Sequence, residues 1–166
     1  MNIILIGFMG SGKSTVGLKL SQSLSYPFVD TDDLVEAKAG MKTPEIFESF
    51  GELKYREFEI HVAKDLRSTT NHIIATGGGV ILNKIILDYM KEQLGITVFL
   101  RAPFVELARR VSQHDRPRPL FQDSDRAQEL YAFRLPLYER YADRIIDTEG
   151  KNIETIAHEI IHSLPQ

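Results

Sequence analysis

Short apolar runs without polar alternation punctuate the chain, and longer stretches with apolar residues three and four apart lie between them. Asn2–Ile6 (NIILI) is the first run and reads as a strand buried on both faces. Tyr26–Asp30, His72–Ala75, Ile96–Leu100 and Arg144–Asp147 follow as four more short strands. Helical periodicity covers Lys13–Leu24, Asp32–Ala39, Asn83–Leu94, Pro103–Gln113, Arg126–Tyr141 and Asn152–Leu164. Thr43-Pro44-Glu45 reads as a helix start, with Thr43 as the cap and Pro44 at the first helical position. Gly51 interrupts that helix, which resumes over Glu52–Arg67. Asn83 is placed to cap the helix that begins there. His114–Asp125 is polar, carries Pro117 and Pro119, and reads as an exposed loop.

Five short buried strands separated by helices predict an α/β fold, a three-layer α/β/α sandwich around a five-stranded parallel sheet. In such sheets ligands bind beyond the carboxyl ends of the strands. The residues that follow the strands therefore matter most: Gly7–Ser14, Asp30-Thr31-Asp32, Gly77-Gly78-Gly79 and Arg101.

Composition narrows the classes. The chain has 166 residues, the size of one domain. Twenty Lys and Arg stand against 23 Asp and Glu, a net charge of −3 that gives no reason to expect nucleic-acid binding. There is no cysteine, which excludes disulfides, thiolate metal sites and a cysteine nucleophile. No apolar run approaches the ~18 residues of a membrane span, and the start lacks the basic leader of a signal peptide. The expected location is the cytoplasm.

Gly7-Phe8-Met9-Gly10-Ser11-Gly12-Lys13-Ser14 fits the phosphate-loop pattern G-x-x-x-x-G-K-S/T. Glycines let successive N–H groups point at phosphate oxygens, and the following helix adds the positive end of its dipole. Gly10, Ser11, Gly12, Lys13, Ser14 and Thr15 are the nucleotide-binding candidates. Lys13 is expected to reach the β- and γ-phosphates, and Ser14 to ligate Mg²⁺. By residue usage this string arises by chance in roughly one chain of this length in two hundred. His158-Glu159-Ile160-Ile161-His162 is as rare, and on a helix it places two histidines one turn apart as zinc proteases do. Context separates the two. A strand precedes and a helix follows the glycine loop, whereas only four residues remain after His162 to supply a third zinc ligand.

Asp30 and Asp32 follow the second strand. Beside a phosphate loop, adjacent carboxylates can hold Mg²⁺ or orient an attacking hydroxyl, while Asp32 is also placed to cap the next helix. The loop needs both a metal and a group that positions the nucleophile, which favours function over capping. Gly77-Gly78-Gly79 offers bare backbone for close ligand approach. Arg109, Arg110, Arg116 and Arg118 lie within ten residues, where a closing loop can bring a cation to a transferring phosphate. Arg56 and Arg134 are candidates for carboxylate recognition, since guanidinium pairs with it bidentately.

The guanine-switch reading fails. Asp147-Thr148-Glu149-Gly150 matches D-x-x-G but lies near the C-terminal end, and Ile86 replaces the Asp that an N-K-x-D motif beginning at Asn83-Lys84 requires. A small-molecule kinase needs a second pocket, which the carboxylates, glycines and arginines supply.

With GFMGSGKS, Asp30–Asp32, Gly51-Glu52 with Tyr55-Arg56 and Glu59, TGGG at Thr76–Gly79, Arg118-Pro119-Leu120 and RLPLYERYAD at Arg134–Asp143, the chain resembles the shikimate kinases over essentially its whole length. The resemblance implies a nucleoside-monophosphate-kinase-like fold. It implies one kinase domain over 1–166, with a substrate-binding subdomain at about 32–60 and a lid at about 112–124. The implied reaction is ATP-dependent phosphorylation of the shikimate 3-hydroxyl, in the route to chorismate and the aromatic amino acids, by a monomer with Mg²⁺. By that analogy Lys13, Asp32 and Arg118 are catalytic, Asp32 contacting the substrate hydroxyls and acting as base. Arg56, Gly78, Gly79 and Arg134 bind shikimate with Asp32, and Glu59 orients the arginines. Phe47 and Tyr55 line the substrate subdomain. Ser14, Asp30 and Asp32 serve the metal, Arg118 approaches the transferring phosphate, and Arg109 or Arg110 lies near adenine. The chain departs from the family pattern at Tyr55, usually Phe, and at Phe121, usually Leu. Its Arg116-Pro117-Arg118-Pro119 offers two Arg-Pro pairs, of which the Leu120 after the second favours Arg118. The alternatives are a related kinase for another small polyol or acid such as gluconate, and a regulatory protein that binds ATP without transfer.

Overall fold

Ile3–Ile6 (β1) is fully buried, and it lies at the centre of the sheet because no residue in it can face water without loss. The computed structural model describes residues 1–113 and 123–165. Phe28–Asp30 (β2), Ile73–Ala75 (β3), Ile96–Arg101 (β4) and Arg144–Asp147 (β5) complete the sheet in the order β2-β3-β1-β4-β5, every pairing parallel. β1 faces β3 through Ile3↔Ile73 and β4 through Ile3↔Ile96, so both neighbours are in register with its first residue.

The helices are Lys13–Leu24 (α1), Thr31–Ala39 (α2), Thr43–Leu66 (α3), Lys84–Lys91 (α4), Phe104–Ser112 (α5), Ser124–Tyr141 (α6) and Ile153–Ser163 (α7). Side chains alternate across a strand, and the two faces of β1 take different partners. Ile3 and Leu5 pack with Val16 and Leu20 of α1 and Ile156 and Ile160 of α7. Ile4 and Ile6 pack with Val62 of α3, Leu87 of α4 and Tyr138 of α6. The result is the expected three-layer sandwich. No helix among the described residues is long and apolar enough to cross a membrane.

Several local expectations are corrected. β2 and β5 are the edges of the sheet and are not buried: β2 is half-buried throughout, and only Ile146 of β5 is buried. Thr43 is not the cap of α3. Lys42 takes that position, Pro44 lies in the first turn, and the Glu45 carboxylate accepts from the Lys42 N–H at 2.8 Å. Asn83 stands at the cap of α4, but its side chain makes no capping bond. α6 begins earlier than expected, at Ser124, because Asp123 caps it by accepting from the Arg126 N–H. A 3-10 turn over Val80–Leu82 follows the triple glycine. Gly51 breaks α3 as expected, with φ of 77° inside an otherwise helical run. The lid expected at about 112–124, with Arg116, Arg118 and Phe121, falls almost wholly outside the described residues.

Candidate active site

The carboxyl ends of β1, β2 and β3 deliver three chain segments to one edge of the sheet. From β1 comes the glycine loop. Gly10 and Gly12 have φ of 79° and 88°, and a Cβ on Gly10 would meet the Leu107 carbonyl and Val111 at 2.9 Å. The loop is thus pressed against α5 with no room for a side chain there. Gly12 caps α1, so Lys13, Ser14 and Thr15 form its first turn, where N–H groups lack intrahelical partners and the dipole favours an anion. The Lys13 ammonium donates to the carbonyls of Gly7 at 2.7 Å and Phe8 at 3.2 Å, and to Ser11 Oγ at 3.4 Å. Ser14 Oγ donates to Asp30 Oδ2 at 2.8 Å, tying the phosphate end of α1 to the end of β2.

Asp30 also caps α2, its Oδ1 accepting from the Asp32 N–H at 3.0 Å. Capping therefore belongs to Asp30, and Asp32, the alternative candidate, lies inside the first turn of α2. The Asp32 carboxylate accepts a hydrogen bond from the Tyr55 hydroxyl at 2.8 Å. It is pressed on the glycine turn, where a Cβ on Gly77 would lie 2.7 Å from Asp32 Oδ1.

Arg56 on α3 and Arg134 on α6 lie against the same glycine turn. Arg56 NH1 donates to Glu59 Oε2 at 2.6 Å, and Arg56 NH2 donates to Glu52 at 3.0 Å. Glu59 is 3% exposed, and burial raises its pKa against the pull of Arg56. Burial works against the Arg56 charge, yet Glu59 and Glu52 hold its pKa above the ordinary value. Arg134 is buried, and its guanidinium lies 6.0 Å from the ring centroid of Phe8 in the glycine loop. Two buried atoms in this group, Glu59 Oε1 and Arg134 Nε, have no hydrogen-bond partner among the described residues. Buried polar groups are almost always paired, so these two atoms are available to a partner from outside the cluster. Gly78 and Gly79 lie against the two guanidiniums. A Cβ on Gly79 would sit 2.5 Å from Arg56 NH2, and one on Gly78 would sit 3.7 Å from Arg134 NH1.

The sequence-predicted residues thus gather as two neighbouring groups: Gly10–Thr15 with Asp30 in one, and Asp32, Arg56, Gly78, Gly79 and Arg134 in the other, which meet where Arg134 approaches Phe8. Arg109 and Arg110 lie on α5, which flanks the loop. Arg109 is exposed on Glu106 and Gln113, while Arg110 joins Glu106 to the hydroxyl and carbonyl of Thr148. These two arginines pull the Glu106 pKa down to about 2. Arg101 makes a two-bond pair with Asp147 across β4 and β5, which gives the D-x-x-G aspartate a partner within the sheet. His158 and His162 are exposed on α7 with ring centroids 3.8 Å apart, and no third ligand joins them: no group of three His, Cys, Asp or Glu suited to a metal occurs among the described residues.

Two contributors escape the sequence reading. Tyr138 donates its hydroxyl to the Gly78 carbonyl and stacks on Phe99 at 5.0 Å. Thr31 Oγ1 accepts from the Gly77 N–H at 3.1 Å. Together they hold the glycine turn from both sides. Tyr138 was findable, since it lies four residues after Arg134 and so on the same helix face. Thr31 carries no such signal.

A phosphate loop at the carboxyl edge of a parallel sheet, with a buried acid–guanidinium cluster beside it, defines a P-loop kinase acting on a small anionic acceptor. Residues 9–165 match the shikimate kinase family. The chain is 44% identical to the shikimate kinase of Aquifex aeolicus over 99% of this chain and 96% of that one. It is 42% identical to that of Caldanaerobacter subterraneus subsp. tengcongensis over 98% and 95%. A solved shikimate kinase from Acinetobacter baumannii in complex with shikimate superposes with a TM-score of 0.86 at 36% identity, covering 97% of this chain and 90% of that one. The chain belongs to the shikimate kinase family.

Proposed function

We propose that this chain transfers the γ-phosphoryl group of ATP to the 3-hydroxyl of shikimate. The observation that carries the reading is the buried Arg134, its Nε unpaired among the described residues, set beside Arg56 and the glycine turn. A buried guanidinium with an unused donor suits a carboxylate, which guanidinium binds through two parallel hydrogen bonds. Arg56 supplies the second cation, and Glu59 keeps both arginines oriented. Gly78 and Gly79 let the ligand approach the backbone. Helices α2 and α3 form the substrate-binding part, at about 32–60, with Phe47 and Tyr55 in its wall.

Phosphate oxygens lie on the first turn of α1 and on the N–H groups of Gly10–Thr15, with Lys13 leaving its loop carbonyls for the β- and γ-phosphates. Asp32 orients the shikimate hydroxyl and takes its proton as the oxygen attacks the γ-phosphorus. The bond from that phosphorus to the β–γ bridging oxygen breaks, and ADP leaves. Arg118, carried by the lid at about 112–124, meets the transferring group, and Arg109 or Arg110 lies near the adenine.

A divalent metal fits the donors present. Ser14 Oγ and Asp30 Oδ2, 2.8 Å apart at the phosphate end, are hard oxygens of the kind Mg²⁺ takes, with water and phosphate completing the shell. In this reading Asp32 assists through water. Bound Mg²⁺ supplies charge neutralisation at the β- and γ-phosphate oxygens. The enzyme acts as a cytoplasmic monomer in this reading.

Coupled ADP release tests the proposal with shikimate and gluconate as acceptors. Release that requires ATP, Mg²⁺ and shikimate is expected. Release driven by gluconate, or ATP binding with no acceptor-dependent ADP, overturns it.

A further inference from the structure

Tyr55 brings a phenolic hydroxyl to the group formed by Asp32, Arg56 and Arg134, and that hydroxyl is not idle. It donates to Asp32 Oδ1 at 2.8 Å from a side chain that is only 5% exposed. The ring cannot swing freely. It stacks on Phe47 with centroids 4.7 Å apart and planes 30° apart, and the Arg56 guanidinium lies 5.4 Å from its centroid. The hydroxyl is therefore aimed by packing at the carboxylate.

We propose that Tyr55 is a positioning residue: its hydroxyl holds the Asp32 carboxylate in the orientation that receives the proton of the acceptor hydroxyl. The inference rests on the reading of Asp32 given above. An Asp side chain turns about two bonds, and an acceptor misplaced by a fraction of an ångström loses much of its effect on a transferring proton. Tyr55 restrains Oδ1, and that same oxygen lies against the glycine turn, in the space a Cβ on Gly77 would need. Tyr55 and Arg56 are adjacent in α3. One turn of helix therefore sets both the proton acceptor, through the phenol, and the carboxylate clamp, through the Arg56–Glu59 pair. Any shift of α3 that loosens the grip on the substrate also releases Asp32.

The test is a double-mutant cycle on the full chain, reading kcat and the shikimate KM separately. Tyr55→Phe keeps the ring and its stacking and removes only the hydroxyl. It is expected to lower kcat about 3- to 10-fold while the shikimate KM changes less than about twofold. Asp32→Asn keeps an oxygen to accept from the phenol and removes the base. In that background Tyr55→Phe is expected to leave the residual rate within about 1.5-fold, because the hydroxyl acts through Asp32. An equal kcat loss in both backgrounds means a structural role and overturns the proposal. So does a rise in KM matching the loss in kcat, or an unchanged kcat in Tyr55→Phe while Asp32→Asn is severely slowed, an outcome that leaves the Asp32 reading intact. If Asp32→Asn itself keeps a near-normal rate, the base reading falls and takes the proposal with it.

Discussion

Lys13 donates to three acceptors of its own loop, and under the proposed mechanism those contacts are what phosphate oxygens have to replace. Because charge is stabilised most where it develops, Lys13→Ala should cut kcat by about 10²-fold or more, with little change in the thermal transition of the free protein. A rate assay beside a melting curve checks both halves. Arg134 predicts a different signature. If it clamps the acid as proposed, its contact holds in ground and transition state alike, so Arg134→Ala should raise the shikimate KM at least ~30-fold and lower kcat far less. An unchanged KM would remove the carboxylate clamp from the account. Gly79 tests the same clamp from the other side. A Cβ there collides with both terminal nitrogens of Arg56, at 2.5 and 2.6 Å. The colliding atoms are the far end of a flexible side chain, so the backbone can stay in place while the guanidinium moves. Gly79→Ala should therefore raise the shikimate KM about tenfold, equivalent to ~1.4 kcal/mol of lost binding, with the fold intact.

At the scale of elements, the joint between α4, β4 and β5 hangs on one carboxylate. Asp143 accepts from Lys91 at 2.7 Å and from the Thr97 N–H at 2.7 Å. Burial raises its pKa, but the bonds from Lys91 and Thr97 outweigh that and hold it below the ordinary value. A lowered folded pKa gives stability that is present above the unfolded pKa near 3.8 and is lost as pH falls through the folded value. Asp143→Ala should cost about 1–2 kcal/mol at pH 7, a charge-assisted bond discounted for its partly exposed setting. The gap to the parent should close as pH is lowered below about 4, read by denaturant unfolding at each pH. The elements themselves were legible where pattern alone decides. β1 is an unbroken apolar run, the glycine loop is a motif, and Gly51 marks the break in α3. Capping was legible only as a position. Whether Asp30 or Asp32 caps α2 depends on where β2 stops, and that is set by pairing with β3 rather than by the residues of β2. The exposure of β5 was hidden for a similar reason: an edge strand and a central strand can share a composition and differ only in neighbours.

Across the whole molecule, the site exists because the sheet brings distant segments together. Asp32 follows β2, the glycine turn follows β3, Arg56 comes from the middle of α3 and Arg134 from α6, more than a hundred residues after Asp32. Sequence spacing shows each residue type but not the convergence, and it shows nothing of Tyr138 reaching back to Gly78. The order β2-β3-β1 explains it. Placing β3 between the other two sets the glycine turn beside both the phosphate loop and the Asp32 turn. A pocket assembled from four separated segments is ordered only in the folded chain, so an acid that binds it must stabilise the whole fold by mass action. Shikimate at 100 times its dissociation constant should add ~2.7 kcal/mol, a rise of roughly 5–10 °C in Tm for a chain of this length. Gluconate at equal concentration should give a far smaller rise, and Arg134→Ala should abolish the shikimate effect while keeping the response to ATP with Mg²⁺. Loss of both responses in that variant would mean that Arg134, through its contact with Phe8 in the phosphate loop, supports the nucleotide side as well, and that the two pockets are not separable.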